Sequence, residues 1–294
     1  MDDNRLWQWI SHVCLAVFCI LCIVPFFLLI ASSITSEQEI IRNGYRFIPE
    51  TFSMDAYRYL LTSSTVIARA YGITILVTVG GTAASLVMTV MLGYGLSKKD
   101  MPLNKFLTAF VVLTLLFNGG LVPTYLVYTQ VFAIKNTIWA LLIPGLLLNG
   151  FNVFLASTFF RTTVPAPVLE SARMDGAGEV RTFFQIVLPL SLPIMATIGL
   201  FSGIAYWNDW NNGLIYLSDP RLFSIQNLLN QMIQNVEAIK TASVAYGLES
   251  TSMELPSETV RMAIAVVGIL PILIAYPFFQ KYFVKGIALG AVKG

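Results

Sequence analysis

Residues 11 to 34 read SHVCLAVFCILCIVPFFLLIASSI, a stretch with no acidic residue, no lysine and no arginine. A helix rises 1.5 Å per residue, so about 20 apolar residues cross the roughly 30 Å of hydrocarbon in a bilayer. The stretch predicts a membrane-spanning helix. Arg5 before it and Ala31-Ser32-Ser33 at its end are flanks that a secretory signal also has. The run nevertheless exceeds the about 7–15 residues of a signal's apolar core, so it counts as the first span.

The rest of the 294-residue chain continues in the same vein, with 56% hydrophobic and 12% charged residues. Soluble domains carry about a quarter charged residues. Further apolar stretches at 67–96, 106–130, 137–160, 187–208 and 259–280 predict, with 11–34, an all-α integral membrane protein of about six spans. This gives a single transmembrane domain over 1–294. Gly72, Gly80, Gly81, Ala83, Ala84, Gly93 and Gly95 in the second span suit close helix packing in lipid. Prolines at 25, 123, 144, 193 and 271 predict kinks.

With the N-terminus inside, the inner segments hold ten basic residues, among them Arg5, Lys98, Lys99, Lys105, Arg161, Arg173 and Arg181, against six acidic ones. The outer segments hold eight basic and ten acidic residues. That asymmetry predicts cytoplasmic termini. Two outer segments, 35–66 and 209–258, contain aromatic and amphipathic stretches, and read either as folded caps or as ordinary connecting loops. Cys14, Cys19 and Cys22 all lie in the first span, where they act as small hydrophobes; with His12 nearby a metal site is the weaker reading, and none is expected. No basic cluster interleaved with aromatics points to nucleic acid.

The spans lack machinery for driving transport. No ionisable side chain sits within a span away from its ends, so neither a proton relay nor a carboxylate sodium site is visible. No Gly-x-x-x-x-Gly-Lys-Ser/Thr phosphate loop occurs, and no catalytic residue is assigned. Energy for active transport has to arrive by contact with another protein on the inner side.

One inner loop is long enough to receive it, residues 161–188. Pro165 and Pro167 suit the first turn of a helix, Asp175-Gly176-Ala177-Gly178 breaks it, and a second short helix runs from about Glu179 to Val187. Val168 and Ala172, four apart, are expected to share a small apolar face beside a protruding Glu170.

The run Glu170-Ser171-Ala172, Asp175-Gly176-Ala177, Phe183-Phe184, Ile186 and Leu188-Pro189-Leu190 resembles the EAA coupling loop of binding-protein-dependent ABC importer permeases. Ser171 replaces the family's second-position alanine. Lys285-Gly286 and the ending Gly290-Ala291-Val292-Lys293-Gly294 resemble the tail of the maltose-permease-like carbohydrate group. Tyr282 to Ile287 and Phe47-Ile48-Pro49 are closest to its complex oligosaccharide and uronate branch.

The resemblance implies a permease subunit in the bacterial cell membrane that imports a sugar or oligosaccharide. Its partners would be a second, non-identical permease, two ATPase subunits and an extracytoplasmic solute-binding protein. ATP and Mg would be held by the ATPase, with no cofactor in this chain. Glu170, Ser171, Ala172, Asp175, Gly176, Ala177, Leu188 and Pro189 would meet the ATPase, and Gly290, Lys293 and Gly294 would reach between the ATPase subunits. Other solutes, and a stand-alone ion-coupled carrier, are the alternatives.

For the substrate path, uncharged polar groups within the spans are candidates: Asn118, Gln130, Asn149 and Asn152. Trp207 and Asn208, in the run Tyr206 to Asn212, combine a ring face with an amide as a sugar site does. An interfacial aromatic belt and helix-to-helix hydrogen bonding explain the same residues.

Overall fold

The computed structural model describes residues 3–62, 64–98, 100–245 and 258–291. Nearly all of these are helical, and the isolated bridge between Thr35 and Phe52 is the β-pairing recorded among them. The chain opens with α1 (Asp3–Ser33), α2 (Glu37–Asn43), α3 (Asp55–Thr62) and α4 (Ser64–Ser97). Next come α5 (Asn104–Leu116), α6 (Leu121–Leu126) with a π-turn at Val127–Val131, α7 (Trp139–Leu142) and α8 (Gly150–Thr163). After α9 (Ala166–Met174), α10 (Glu179–Thr182) runs through a π-turn at Phe183–Val187 into α11 (Leu188–Leu190). The chain closes with α12 (Leu192–Trp207), α13 (Asn211–Tyr216), α14 (Ile225–Ala245) and α15 (Glu258–Ala291).

From Trp7 onward α1 is apolar on every side and exposed along nearly its whole length, which in a folded protein belongs in lipid. α1 and α4 are each long and apolar enough to cross a bilayer unaided. Two further stretches qualify only as bent pairs: α5 with α6 and its π-turn, bent by 119°, and Glu179–Leu190 with α12, bent by 80°.

Kinks are expected at the prolines, and several of the expected spans are broken outright. The stretch at 106–130 breaks between α5 and α6 at Gly119-Gly120, where Gly120 takes φ +81° and Pro123 lies in the next turn. The stretch at 137–160 splits into α7 and α8 around Pro144-Gly145, with Gly145 at φ +71°. The stretch at 187–208 is interrupted at Ser191, between Pro189 and Pro193. Hydropathy averages over such breaks, because glycine and proline redirect the backbone without making the stretch polar.

The chain divides into two compact units, residues 1–67 with 229–273, and residues 68–228 with 274–294. In the first, two carboxylates tie backbone segments in place. Glu37 accepts from the backbone N–H groups of Glu258 and Thr259, both at 2.9 Å, at the start of α15. Glu39, buried, accepts from the N–H groups of Glu50 and Thr51 at 2.9 and 2.8 Å and from the Thr51 hydroxyl. Those bonds hold the Glu39 carboxyl below its ordinary value, the Glu50 N–H contributing most.

In the second unit α4 is the central strut. A Cβ at Gly81 would stand 2.5 Å from the ring of Tyr206 on α12, and one at Gly93 would stand 2.7 Å from the Cβ of Ala156 on α8. Close packing is thus realised at Gly81 and Gly93, whereas Gly72 and Gly80 face open space. Ser85 on α4 hydrogen-bonds Ser202 on α12 at 3.2 Å. Thr74 accepts from the backbone N–H of Ile225 at 2.7 Å, capping the start of α14.

Candidate coupling loop and translocation cavity

The loop at 161–188 folds, past the end of α8, as a short surface helix, a glycine turn and a second helix. Pro165 stands at the N-cap of α9, where a missing N–H costs nothing. At the other end Gly176 takes φ +76°. Its N–H bonds the carbonyl of Arg173 at 3.0 Å, and the N–H of Ala177 bonds that of Ala172 at 2.9 Å. This left-handed cap satisfies two terminal carbonyls and reverses the chain.

One face of α9 sits on its own protein. Ala172 is only 6% exposed, and Leu169 packs against a cluster that includes Phe160, Val164, Phe183 and Val187. The shared outward face expected for Val168 and Ala172 is therefore not found. Residues three apart, Leu169 and Ala172, point inward, while Val168 is exposed. Glu170, Ser171 and Met174 lie on the exposed side, with Met174 at 89% exposure. The Ser171 hydroxyl donates to the carbonyl of Pro167 at 2.9 Å, so it folds back onto its own helix. Asp175 closes the helix as its C-cap. Pro189 is exposed and Leu188 half-buried against the same cluster as Leu169. In the tail, Gly290 falls within α15, while Lys293 and Gly294 lie outside the described residues.

Beneath the loop lies an ion cluster. Glu179, first residue of α10, pairs with the Lys98 ammonium just past the end of α4. It also meets Arg173 at 3.4 Å and accepts from the Tyr94 hydroxyl at 3.2 Å. Lys98 lies 4.5 Å over the Tyr94 ring, whose centroid is 4.9 Å from that of Phe183. Burial, with Arg173 nearby, pulls the Lys98 ammonium below its ordinary value even beside the Glu179 carboxylate. Arg161 donates to the carbonyl of Leu96, a second tie to the end of α4.

A cavity of about 630 Å³ opens where the helices break. Its walls include Asn118, Thr124, Pro144-Gly145-Leu146, Asp209, Asn211, Asn212 and Tyr216. The Asn212 amide donates to the carbonyl of Pro144 at 2.9 Å, and the Tyr206 hydroxyl to that of Leu142 at 2.8 Å, which fixes the broken segment. Asp209 accepts from the N–H of Asn212 at 3.1 Å at the start of α13. Burial raises the Asp209 carboxyl above its ordinary value, opposed by hydrogen bonds from Asn212 and Asn211. A second cavity, about 260 Å³, is lined by Asn149, Asn152, Phe201 and Ser202 among others.

Of the expected path residues, then, Asn118 lies in the larger cavity and Asn149 and Asn152 in the smaller. Both asparagines in that pair also shape α8, since the Asn149 side chain accepts from the Asn152 N–H at 3.2 Å. Asn118 likewise accepts from the N–H of Gly120 at 2.9 Å. Gln130, Trp207 and Asn208 line neither cavity; Trp207 lies beside Tyr71, with ring centroids 6.4 Å apart, and Asn208 donates to the carbonyl of Ile204. Their neighbours Asp209, Asn211 and Asn212 line the larger one instead. His12 bonds the carbonyl of Gln8, and among the described residues no group of histidine, cysteine or carboxylate side chains is set to hold a metal ion.

Comparison with known proteins decides what this architecture is. The chain is 38% identical, over 99% of each sequence, to the polygalacturonan/rhamnogalacturonan transport system permease protein YtcP of Bacillus subtilis (strain 168). It belongs to the carbohydrate ABC importer permeases. Protein LplC of the same strain is 36% identical over 92% of this chain and 90% of its own. At lower identity, 26% over 99% and 98% of the two chains, it is similar to the arabinooligosaccharides transport system permease protein AraQ of Halalkalibacterium halodurans. In structure it is similar to a chain of a bacterial ABC transporter involved in the import of the acidic polysaccharide alginate, with a TM-score of 0.79, 28% identity and coverage of 96% and 98%. No known family profile matches the chain. Permeases of this family are multi-pass membrane subunits and not enzymes.

Proposed function

We propose that residues 1–294 act as one permease domain of six spans, some of them bent, with both termini in the cytoplasm. Together with a second, non-identical permease it would enclose the path of an oligosaccharide importer. Two ATPase subunits, holding ATP and Mg, bind from below, and an extracytoplasmic binding protein delivers substrate from above. The observation that carries this reading is α9: a capped helix seated on Leu169 and Ala172 that presents Glu170 and Met174 outward. A rigid protrusion with an unburied carboxylate beside an apolar side chain suits a groove with a basic group. Glu170 is then the contact that seats the ATPase, Asp175 and Gly176 set the turn, and Leu188 and Pro189 return the chain to the membrane. The tail around Gly290, Lys293 and Gly294 reaches between the ATPase subunits.

The larger cavity supports a hydroxyl-rich substrate, since amides of Asn118, Asn211 and Asn212 offer donors and acceptors. Relatives whose names refer to polygalacturonan and alginate support a substrate derived from acidic polysaccharide. Glu170→Lys tests the coupling role. The expected result is normal membrane insertion with ATP-dependent uptake of oligogalacturonide abolished; uptake at the parent rate refutes it.

A further inference from the structure

We propose that Glu179 and Lys98 are positioning residues for coupling, and that their ion pair carries movement of the loop to α4. The proposal rests on the coupling reading of α9. Between α9 and α10 stands the turn at Asp175 to Gly178, with two glycines, a joint that would absorb displacement by bending. The Glu179 carboxylate lies immediately after that joint and gathers three donors: Lys98 from the end of α4, Arg173 from α9 at 3.4 Å, and Tyr94 from α4 at 3.2 Å. The cluster therefore spans the joint and fastens both of its sides to α4.

An isolated surface ion pair contributes little, but this one has a backing. The Lys98 side chain is 23% exposed and covers the Tyr94 ring, which itself packs on Phe183 and Phe160 at 4.9 and 5.9 Å. From that anchor α4 runs unbroken for 34 residues. Along it, Gly81 abuts Tyr206, and the Tyr206 hydroxyl bonds Leu142 beside the cavity-lining segment Pro144 to Leu146. Packed side chains on a rigid helix thus connect the loop to the cavity wall without a break.

The test uses the assembled importer, isolated through a tag on this chain and reconstituted in lipid. Cys14, Cys19 and Cys22 are replaced by serine and Leu121→Cys supplies a reporter in the cavity wall. The rate of maleimide labelling is read with and without ATP plus orthovanadate. If the parent changes by about tenfold, Glu179→Lys and Lys98→Glu should each cut the change to below about twofold, with complex yield and basal ATP hydrolysis retained. The double exchange of Lys98→Glu with Glu179→Lys should regain most of it. Single variants with the full change, or an assembled double exchange no better than the singles, overturn the proposal. Glu179→Gln keeps the shape and serves if the reversed charges do not assemble; there a change equal to the parent's is the refuting result. Glu170→Lys in the same assay separates the two readings. If it keeps both ATPase and response, the coupling reading itself fails; if it loses them while the Glu179 variants respond fully, only the fastening does.

Discussion

Gly176 offers the sharpest test of how the loop is built, because its substitution isolates backbone strain from packing. Its φ is +76°, and a Cβ placed there would meet nothing within 4 Å. Gly176→Ala therefore creates no clash, and the cost is that of an L-residue in the left-handed region, about 1–2 kcal/mol. At 1.4 kcal/mol per factor of ten, the closed turn should lose about 5- to 30-fold in population relative to its open forms. The amide of Ala177, bonded to the carbonyl of Ala172 at 2.9 Å, reports that opening directly through hydrogen exchange. Gly176→Asn should lie between glycine and alanine, since asparagine tolerates this conformation. Gly178→Ala is the control: at φ −69° and ψ 164° its backbone already suits any residue, and protection should stay at the parent level. Full protection in Gly176→Ala, or equal loss in both alanine variants, would refute the argument.

Other outcomes follow from single contacts. Gly93→Ala has to displace the Cβ of Ala156 and the backbone of Val153 and Ser157, so an overpacking cost of about 1–3 kcal/mol should lower the thermal midpoint in detergent. Thr74→Val strands the buried N–H of Ile225 and should cost about 1–3 kcal/mol, seen as faster exchange at the start of α14, whereas Thr74→Ser should preserve it. Because the folded Glu39 carboxyl is held below its ordinary value of 4.5, its contribution is complete above that pH and is lost as pH falls through the depressed value. Protection of the Glu50 and Thr51 amides, measured against their intrinsic exchange rates at each pH, should fall on acidification in the parent, and Glu39→Gln should remove that dependence.

What the sequence made legible was local. The proline start and glycine stop of α9 predicted a helix that the structure closes within a residue of both, since capping depends on a few neighbouring residues. The face of α9 was not legible: whether Val168 or Leu169 points inward is decided by Phe160, Val164 and Phe183 from other elements. Glu179 was legible only as the start of a helix, because its principal partner, Lys98, lies 81 positions earlier and pairs with it only through the fold. Within the run Tyr206 to Asn212, the residues that line the larger cavity are likewise not separable by sequence from Trp207 and Asn208. The chain turns between α12 and α13, and a run of seven polar and aromatic residues does not say which of them the turn aims at a cavity.

Where kinks were expected, the helices break outright, and the breaks have a physical reading. Inside a bilayer each unpaired backbone group costs several kcal/mol, so a helix can be broken at membrane depth only where protein or a water-filled space accepts the freed groups. The breaks at Gly119-Gly120 and Pro144-Gly145 meet that condition, because Gly120, Pro144 and Gly145 are walls of the larger cavity. The Asn212 amide takes up the carbonyl of Pro144, and the Asn118 side chain takes up the N–H of Gly120. Asparagine suits such a break, since its amide can satisfy the backbone with one atom and keep the other free for a further partner. The same breaks therefore put polar backbone and asparagine amides beside a cavity of about 630 Å³, which unbroken apolar helices would not provide.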